Sequence, residues 1–181
     1  MEFNKEIFQL LFVWVIAYSI VKPFEVILNY MIYKLYGIKT VFQQFSATSP
    51  IIVVFSEFTF MLISFMKTMY FYKKIYNKPT YFPRKGNWED YRDFIIMYII
   101  TTIILDVLWT IFVNYTTFYY KPLSFLKNFS HDITFTSLSV PIVYGVILVF
   151  VTDIVLNYIP DFEALGSLVA SLFLLSLASF H

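Results

Sequence analysis

Cysteine is absent from this chain of 181 residues, which also has only four glycines and two histidines. The absence of cysteine excludes disulfide bonds, thiolate metal sites and thiol nucleophiles. Phosphate-binding loops and dinucleotide fingerprints need several glycines at fixed spacing, which four scattered glycines do not provide. His131 and His181 form neither an HExxH motif nor a histidine cage. The sequence therefore predicts no metal site, no cofactor and no enzymatic activity.

Charged residues are scarce as well. They make up 14% of the chain, whereas 59% of its residues are hydrophobic and 22% are aromatic. An ordinary soluble domain has about 25% charged residues, so this chain has too little polar surface to be covered by water. A net charge of +1 also argues against the basic face that a nucleic-acid-binding protein needs. The composition therefore predicts a lipid bilayer as the main partner and no nucleic acid.

Several apolar segments are long enough for helices that cross the hydrocarbon core, which takes about 20 residues. They cover approximately residues 7–36, 50–72, 94–114, 138–159 and 165–180. The first is long, and we expect a kink at Pro23. The last is short and is predicted either to span the bilayer or to be re-entrant. We predict an all-α fold, a polytopic membrane helical bundle of four or five transmembrane helices, as a single integral membrane domain over 1–181.

The helix ends and the membrane orientation follow from local signals. Ser49 and Pro50 are typical of a helix start. Pro141 is expected in the first turn of its helix, where proline is tolerated. With five spans, eight lysines and arginines fall on the side of the N-terminus and of segment 67–93, and five fall on the other side. The positive-inside rule then places segment 67–93 in the cytosol, or in the matrix of a mitochondrion.

Each of the first four segments carries one polar face. In the third, polar residues recur every four positions from Tyr98 through Asp106 to Asn114, which is the spacing of one helix face. The predicted intramembrane polar seam consists of Lys22, Glu25, Glu57, Asp106, Asn114, Asp153 and Asn157. It is interpreted either as a proton or ion relay or a polar cavity for a substrate, with Lys22 as counter-charge, or as hydrogen-bonding contacts between helices. Asp106 lies nearest to the middle of a span and is the acid on which these two interpretations differ most.

The only extended polar stretch, at 73–93, mixes basic and aromatic residues. The residues expected to contact lipid headgroups or a partner protein are Lys73, Lys74, Arg84, Lys85 and Trp88. Tyrosines and lysines at a membrane face favour headgroup contacts. Turns at Pro79, Pro83 and Gly86 favour a shaped docking surface for a protein.

Small residues are concentrated in the last segment. Gly166 and Ala170 form one small-xxx-small pair, and Ser167 and Ser171 form another. Such pairs let another helix approach closely. We therefore expect this segment to pack tightly against a helix of the same chain or of a neighbouring copy.

Two stretches of the sequence carry a resemblance to a known group of proteins. TTIILDVLWTIF contains Asp106 and Trp109, and YGVILVFVTDIVLNYIP contains Asp153. Over residues 88–160 this arrangement resembles small multi-pass membrane proteins of large double-stranded DNA viruses, although Thr152 stands where that group often has a histidine. The resemblance implies a structural component of a virion's internal membrane that contacts the capsid, and it implies no catalytic residues.

The sequence as a whole predicts a structural or assembly subunit of a membrane-embedded complex, with other membrane or capsid proteins as its partners. Two alternatives remain open. The bias towards Phe, Ile, Tyr and Lys is also typical of an accessory subunit of a respiratory complex in the mitochondrial inner membrane. A small transporter or ion-conducting protein would use Asp106.

Overall fold

The structure is a computed structural model that describes residues 2–36, 50–115 and 135–159, together with Gly166. The described residues form four helices and contain no strand. The helices are α1 (Glu2–Tyr36), α2 (Pro50–Ile75), α3 (Trp88–Tyr115) and α4 (Phe135–Tyr158). The prediction of an all-α fold is confirmed for this part of the chain. Apart from Gly166, the predicted fifth helix over 165–180 lies outside the described residues.

Two of the helices begin or continue at prolines. α1 is 35 residues long and remains helical through Pro23, where one backbone hydrogen bond is missing because proline has no N–H. The kink at Pro23 stays a prediction. α2 begins at Pro50 as expected, and Lys73 and Lys74 lie in its last turn, where cations interact favourably with the helix dipole.

The other two helices begin earlier than predicted. α3 begins at Trp88, six residues before the predicted start, because Asn87 caps it: the Asn87 Oδ1 accepts the backbone N–H groups of Glu89 at 3.2 Å and of Asp90 at 3.4 Å. α4 begins at Phe135. Pro141 is therefore its seventh residue, beyond the first turn in which we expected it.

The chain divides into two compact units. The first comprises Met1–Phe58 and Ile147–His181, and the second comprises Thr59–Val146. In the first, Val13 and Ile16 of α1 pack with Val155 of α4. The core of the second is aromatic, with rings that meet edge to face: Phe94 lies 5.2 Å from both Tyr72 and Phe82, centroid to centroid. The single membrane domain over 1–181 stays a prediction.

Within the residues that the structure describes, two helical segments are long and apolar enough to cross a membrane. They are Lys5–Phe24, with a mean hydropathy of 1.8, and Trp88–Phe112, with a mean hydropathy of 2.2. A shorter apolar helix covers Ile142–Tyr158. These findings support membrane association, whereas the number of spans stays a prediction.

Candidate functional site

The strongest polar contact of the first unit joins α1 to α2. The Nζ atom of Lys22 donates hydrogen bonds to both carboxylate oxygens of Glu57, at 2.8 and 2.7 Å. The Lys22 side chain is 5% exposed and that of Glu57 is 24% exposed. Lys22 therefore lies inside the unit, where a buried ammonium is stable only beside an opposite charge.

Aromatic rings of the first unit pack one helical turn before this ion pair. Tyr18 stacks on Trp14 at 5.6 Å and meets Phe58 edge to face at 5.1 Å. Tyr18 precedes Lys22 by four residues, and Phe58 directly follows Glu57, so rings and charges connect the same two helices. Together these contacts fix the register of α1 against the first part of α2.

Polar groups of α4 bond within their own helix. Asn157, a predicted seam residue, donates from Nδ2 to the carboxylate of Asp153, and to its backbone carbonyl oxygen at 3.2 Å. The Thr152 hydroxyl donates to the backbone oxygen of Leu148 at 2.6 Å. These bonds satisfy polar atoms locally, one turn back along the helix.

The polar face of α3 points into the second unit. Tyr98 and Thr102 are buried, and Asp106 is half-buried. The Thr110 hydroxyl donates to the backbone oxygen of Asp106 at 2.8 Å. The predicted seam residues Glu25 and Asn114 belong to α1 and α3, and their side chains lie outside the described part of the structure.

The opposite face of α3 is apolar and exposed. Large apolar side chains recur on it every three to four residues over about 24 Å of helix, at 1.5 Å per residue. Its residues are Ile96, Ile100, Ile103, Ile104, Val107, Leu108, Ile111 and Phe112. α3 therefore exposes a continuous apolar face and buries Tyr98 and Thr102 together with apolar side chains such as Phe94, whereas a helix on the surface of a soluble protein exposes a polar face.

Gly145 is a packing residue that the sequence analysis missed. A Cβ atom at this position would overlap the ring and hydroxyl of Tyr98, so only glycine lets α4 approach α3 this closely. The available signal was a lone glycine among large residues in a predicted span. The predicted packing residue Gly166 is buried, with the side chains of Phe12 and Ile16 close to its Cα. Ser167, Ala170 and Ser171 lie outside the described residues.

The connection between α2 and α3, taken as segment 67–93 including the adjoining helix ends, is built around a buried acid. The Asp90 carboxylate is almost completely buried and receives Lys78 Nζ at 2.8 Å and Arg84 Nε at 3.1 Å. Lys78 also lies 3.2 Å from the Asp93 carboxylate. The hydrogen bond to Asp90 is the main cause that raises the pKa of Lys78 above its usual value. Lys78 and Arg84 therefore neutralise the buried carboxylate of Asp90, and Lys78 also pairs with Asp93.

Other predicted contact residues of this connection lie at its surface. Lys74, Lys85 and Trp88 are exposed, and the Arg84 side chain is 57% exposed while it pairs with Asp90. Lys73 differs, because its Nζ lies 3.8 Å from the centre of the Tyr81 ring in a cation–π contact. The surface of the connection thus combines cations with a large exposed aromatic ring.

The described residues contain no group of three or more His, Cys, Asp or Glu side chains that could hold a metal ion. No family model matches the chain, and neither a curated protein nor a solved structure matches it. The function is therefore argued from the geometry of these surfaces.

Proposed function

We propose that the protein is a multi-pass helical membrane protein that acts as a structural or assembly subunit of a larger membrane complex, rather than as an enzyme. The observation that carries the proposal is the reversed polarity of its helices. Large apolar side chains are exposed on their outer faces, while Lys22 and several threonines are buried among apolar side chains.

The reversal is present in each helix. Phe8 is exposed in α1 while Lys22 is buried, and Met66 is exposed in α2 while Thr68 is buried. In α4, Ile147 and Ile154 are exposed on either side of the buried Thr152. Soluble proteins rarely expose contiguous apolar patches larger than a few hundred Å², and such patches mark interfaces with lipid or protein. Exposing this apolar surface to water is unfavourable, whereas contact with lipid acyl chains has no such free-energy cost.

The use of the polar groups supports a structural role. Lys22 and Glu57 connect two helices, and Thr68 donates to the backbone oxygen of Ser64 at 2.7 Å, one turn earlier. Polar contacts between helices contribute about 0.6–2 kcal/mol each in membrane bundles, and the local bond of Thr68 satisfies a buried hydroxyl within its own helix. They are what helix packing requires.

The kind of complex follows from the resemblance over residues 88–160. It favours a virion's internal membrane, with the capsid as a contact, and the alternative is an accessory subunit of a respiratory complex. Purification in mild detergent tests the proposal, because a subunit should co-purify with stoichiometric partners whose identity separates the two complexes. A lone monomer that retains a bound solute would contradict it.

A second candidate function is ion conduction through Asp106. It is favoured by one observation: this acid is half-buried within Trp88–Phe112, the more apolar of the two candidate spans. Proton flux into liposomes that contain the purified protein separates the two functions. Under the structural proposal neither the wild type nor Asp106→Asn conducts, and both assemble. Flux that Asp106→Asn abolishes and the control Glu89→Gln, at an exposed acid outside the predicted seam, retains would establish conduction instead.

A further inference from the structure

The connection between α2 and α3 has a charge that the rest of the chain lacks. Segment 67–93 holds seven of the 13 basic residues and only three of the 12 acidic residues, so it carries a net charge of +4 within a chain of net charge +1. The remaining residues together carry −3. The positive charge of this protein is therefore concentrated in one segment of 27 residues.

The connection also has a defined shape. The backbone N–H of Lys78 donates to the oxygen of Lys73 at 3.1 Å, and that of Asn87 donates to Arg84 at 3.1 Å. Asn77 and Gly86 turn the chain through positive φ angles of 51° and 77°. Phe82 anchors the connection to the aromatic core of the second unit. The cations are thus presented by an ordered segment.

The ion pairs sort the charges by depth. Asp90 is almost completely buried and Asp93 is 13% exposed, both in contact with Lys78. The arginines that meet these acids, Arg84 and Arg92, keep more than half of their side chains exposed. Two of the three acids are therefore withdrawn from the surface while both arginines remain on it.

Exposed apolar side chains lie next to these cations. Trp88 is 68% exposed at the start of α3, and Ile75 is 63% exposed at the end of α2. Trp88 is also the first residue of a candidate membrane span. Tryptophan beside lysine and arginine at the end of a span is typical of the headgroup level of a bilayer.

We propose that this surface, formed by Lys74, Arg84, Lys85 and Trp88, binds the phosphate groups of anionic phospholipids. It rests on the membrane location proposed above and extends it by a lipid preference. Exposed ammonium and guanidinium groups pair with lipid phosphates, and Trp88 enters the interface between headgroups and acyl chains. The cytoplasmic leaflet carries the anionic lipids, and the positive-inside rule assigns this segment to that side.

The test uses the full chain in mild detergent, titrated with phosphatidylglycerol or phosphatidylcholine while native mass spectrometry counts the bound lipids. The test variant is Lys74→Gln/Lys85→Gln, which removes two exposed charges and leaves both buried acids paired. The matched control is Lys5→Gln/Lys34→Gln, which removes two exposed charges of α1. Each cation near an anionic surface contributes about a fivefold preference, so the test variant should lose about 25-fold of the preference for phosphatidylglycerol. The control should keep it.

Further arms of the experiment separate the outcomes. Lys74→Arg/Lys85→Arg retains the charges and should retain the preference. That result would also show that positions 74 and 85 tolerate substitution. Equal binding of both lipids by the wild type, or an equal loss in the test and control variants, would overturn this inference alone. Displacement of the lipid by the same concentration of inorganic phosphate would show a site for free anions and overturn it as well. If neither lipid binds the wild type, the result would count against the membrane location itself.

Discussion

The ion pair between Lys22 and Glu57 offers the sharpest test of the packing. At 2.7 Å and an effective dielectric constant near 20, two unit charges attract by about 6 kcal/mol, most of which offsets their desolvation. Removing one member leaves the other uncompensated, which costs about 3–5 kcal/mol at a fully buried site. Lys22 is the deeper partner, so Glu57→Leu should lower the free energy of unfolding by about 3 kcal/mol. Lys22→Met leaves the partly exposed Glu57 and should cost about 2 kcal/mol.

The double variant Lys22→Met/Glu57→Leu decides whether these costs arise from the pair. Two apolar side chains of similar volume replace both charges, so its cost should stay within about 1 kcal/mol of zero, well below the sum of the single costs. The assay is an SDS titration in mixed micelles, followed by helical circular dichroism and by tryptophan fluorescence. Arg92→Met, which breaks the exposed Arg92–Asp93 pair, is the control and should cost less than about 1 kcal/mol. If the double variant loses as much free energy of unfolding as the two single variants together, the energetic coupling between Lys22 and Glu57 is refuted.

Two further predictions concern single positions in the second unit. Gly145→Ala should destabilise the protein by about 1–3 kcal/mol, because the added methyl group meets the buried Tyr98 ring, and an unchanged melting temperature would contradict the close approach of α4 to α3. Asn87→Ala should cost about 1 kcal/mol, because it removes the side-chain acceptor for two backbone N–H groups of α3. Asn87→Asp restores an acceptor and should melt like the wild type; a loss as large as that of alanine would exclude capping as the reason.

Four of the predicted helices could be placed from hydrophobic length alone, because runs of about 20 apolar residues have few other interpretations. Their ends were harder to predict. Pro50 is a start signal and was located correctly, whereas the start of α3 was missed by six residues. Glu89 and Asp90 looked like a polar cluster ahead of the span, but they form its first turn, and the cap is Asn87.

The sequence predicts the seam as a set of residues but not as a set of contacts. Periodicity places Asp106 on the polar face of α3, yet it carries no information about which residue on another helix faces it. Lys22 was expected to balance several acids, and the structure pairs it with Glu57. Gly145 shows the same limit, because the need for glycine comes from Tyr98, which lies 47 positions earlier in the chain.

The account depends most on the claim that the outer faces of the helices contact lipid. Because the chain has no cysteine, nitroxide labels can be attached at single introduced cysteines without any background substitution. Labels at Ile100, Ile104 and Leu108 would report on the exposed face of α3 in reconstituted bilayers, with Lys85 as the control in the connection. We predict that oxygen, which partitions into the bilayer, relaxes the three α3 labels, while a water-soluble nickel chelate relaxes only the label at position 85. Strong relaxation of the α3 labels by the nickel chelate would place this face in water and contradict the account.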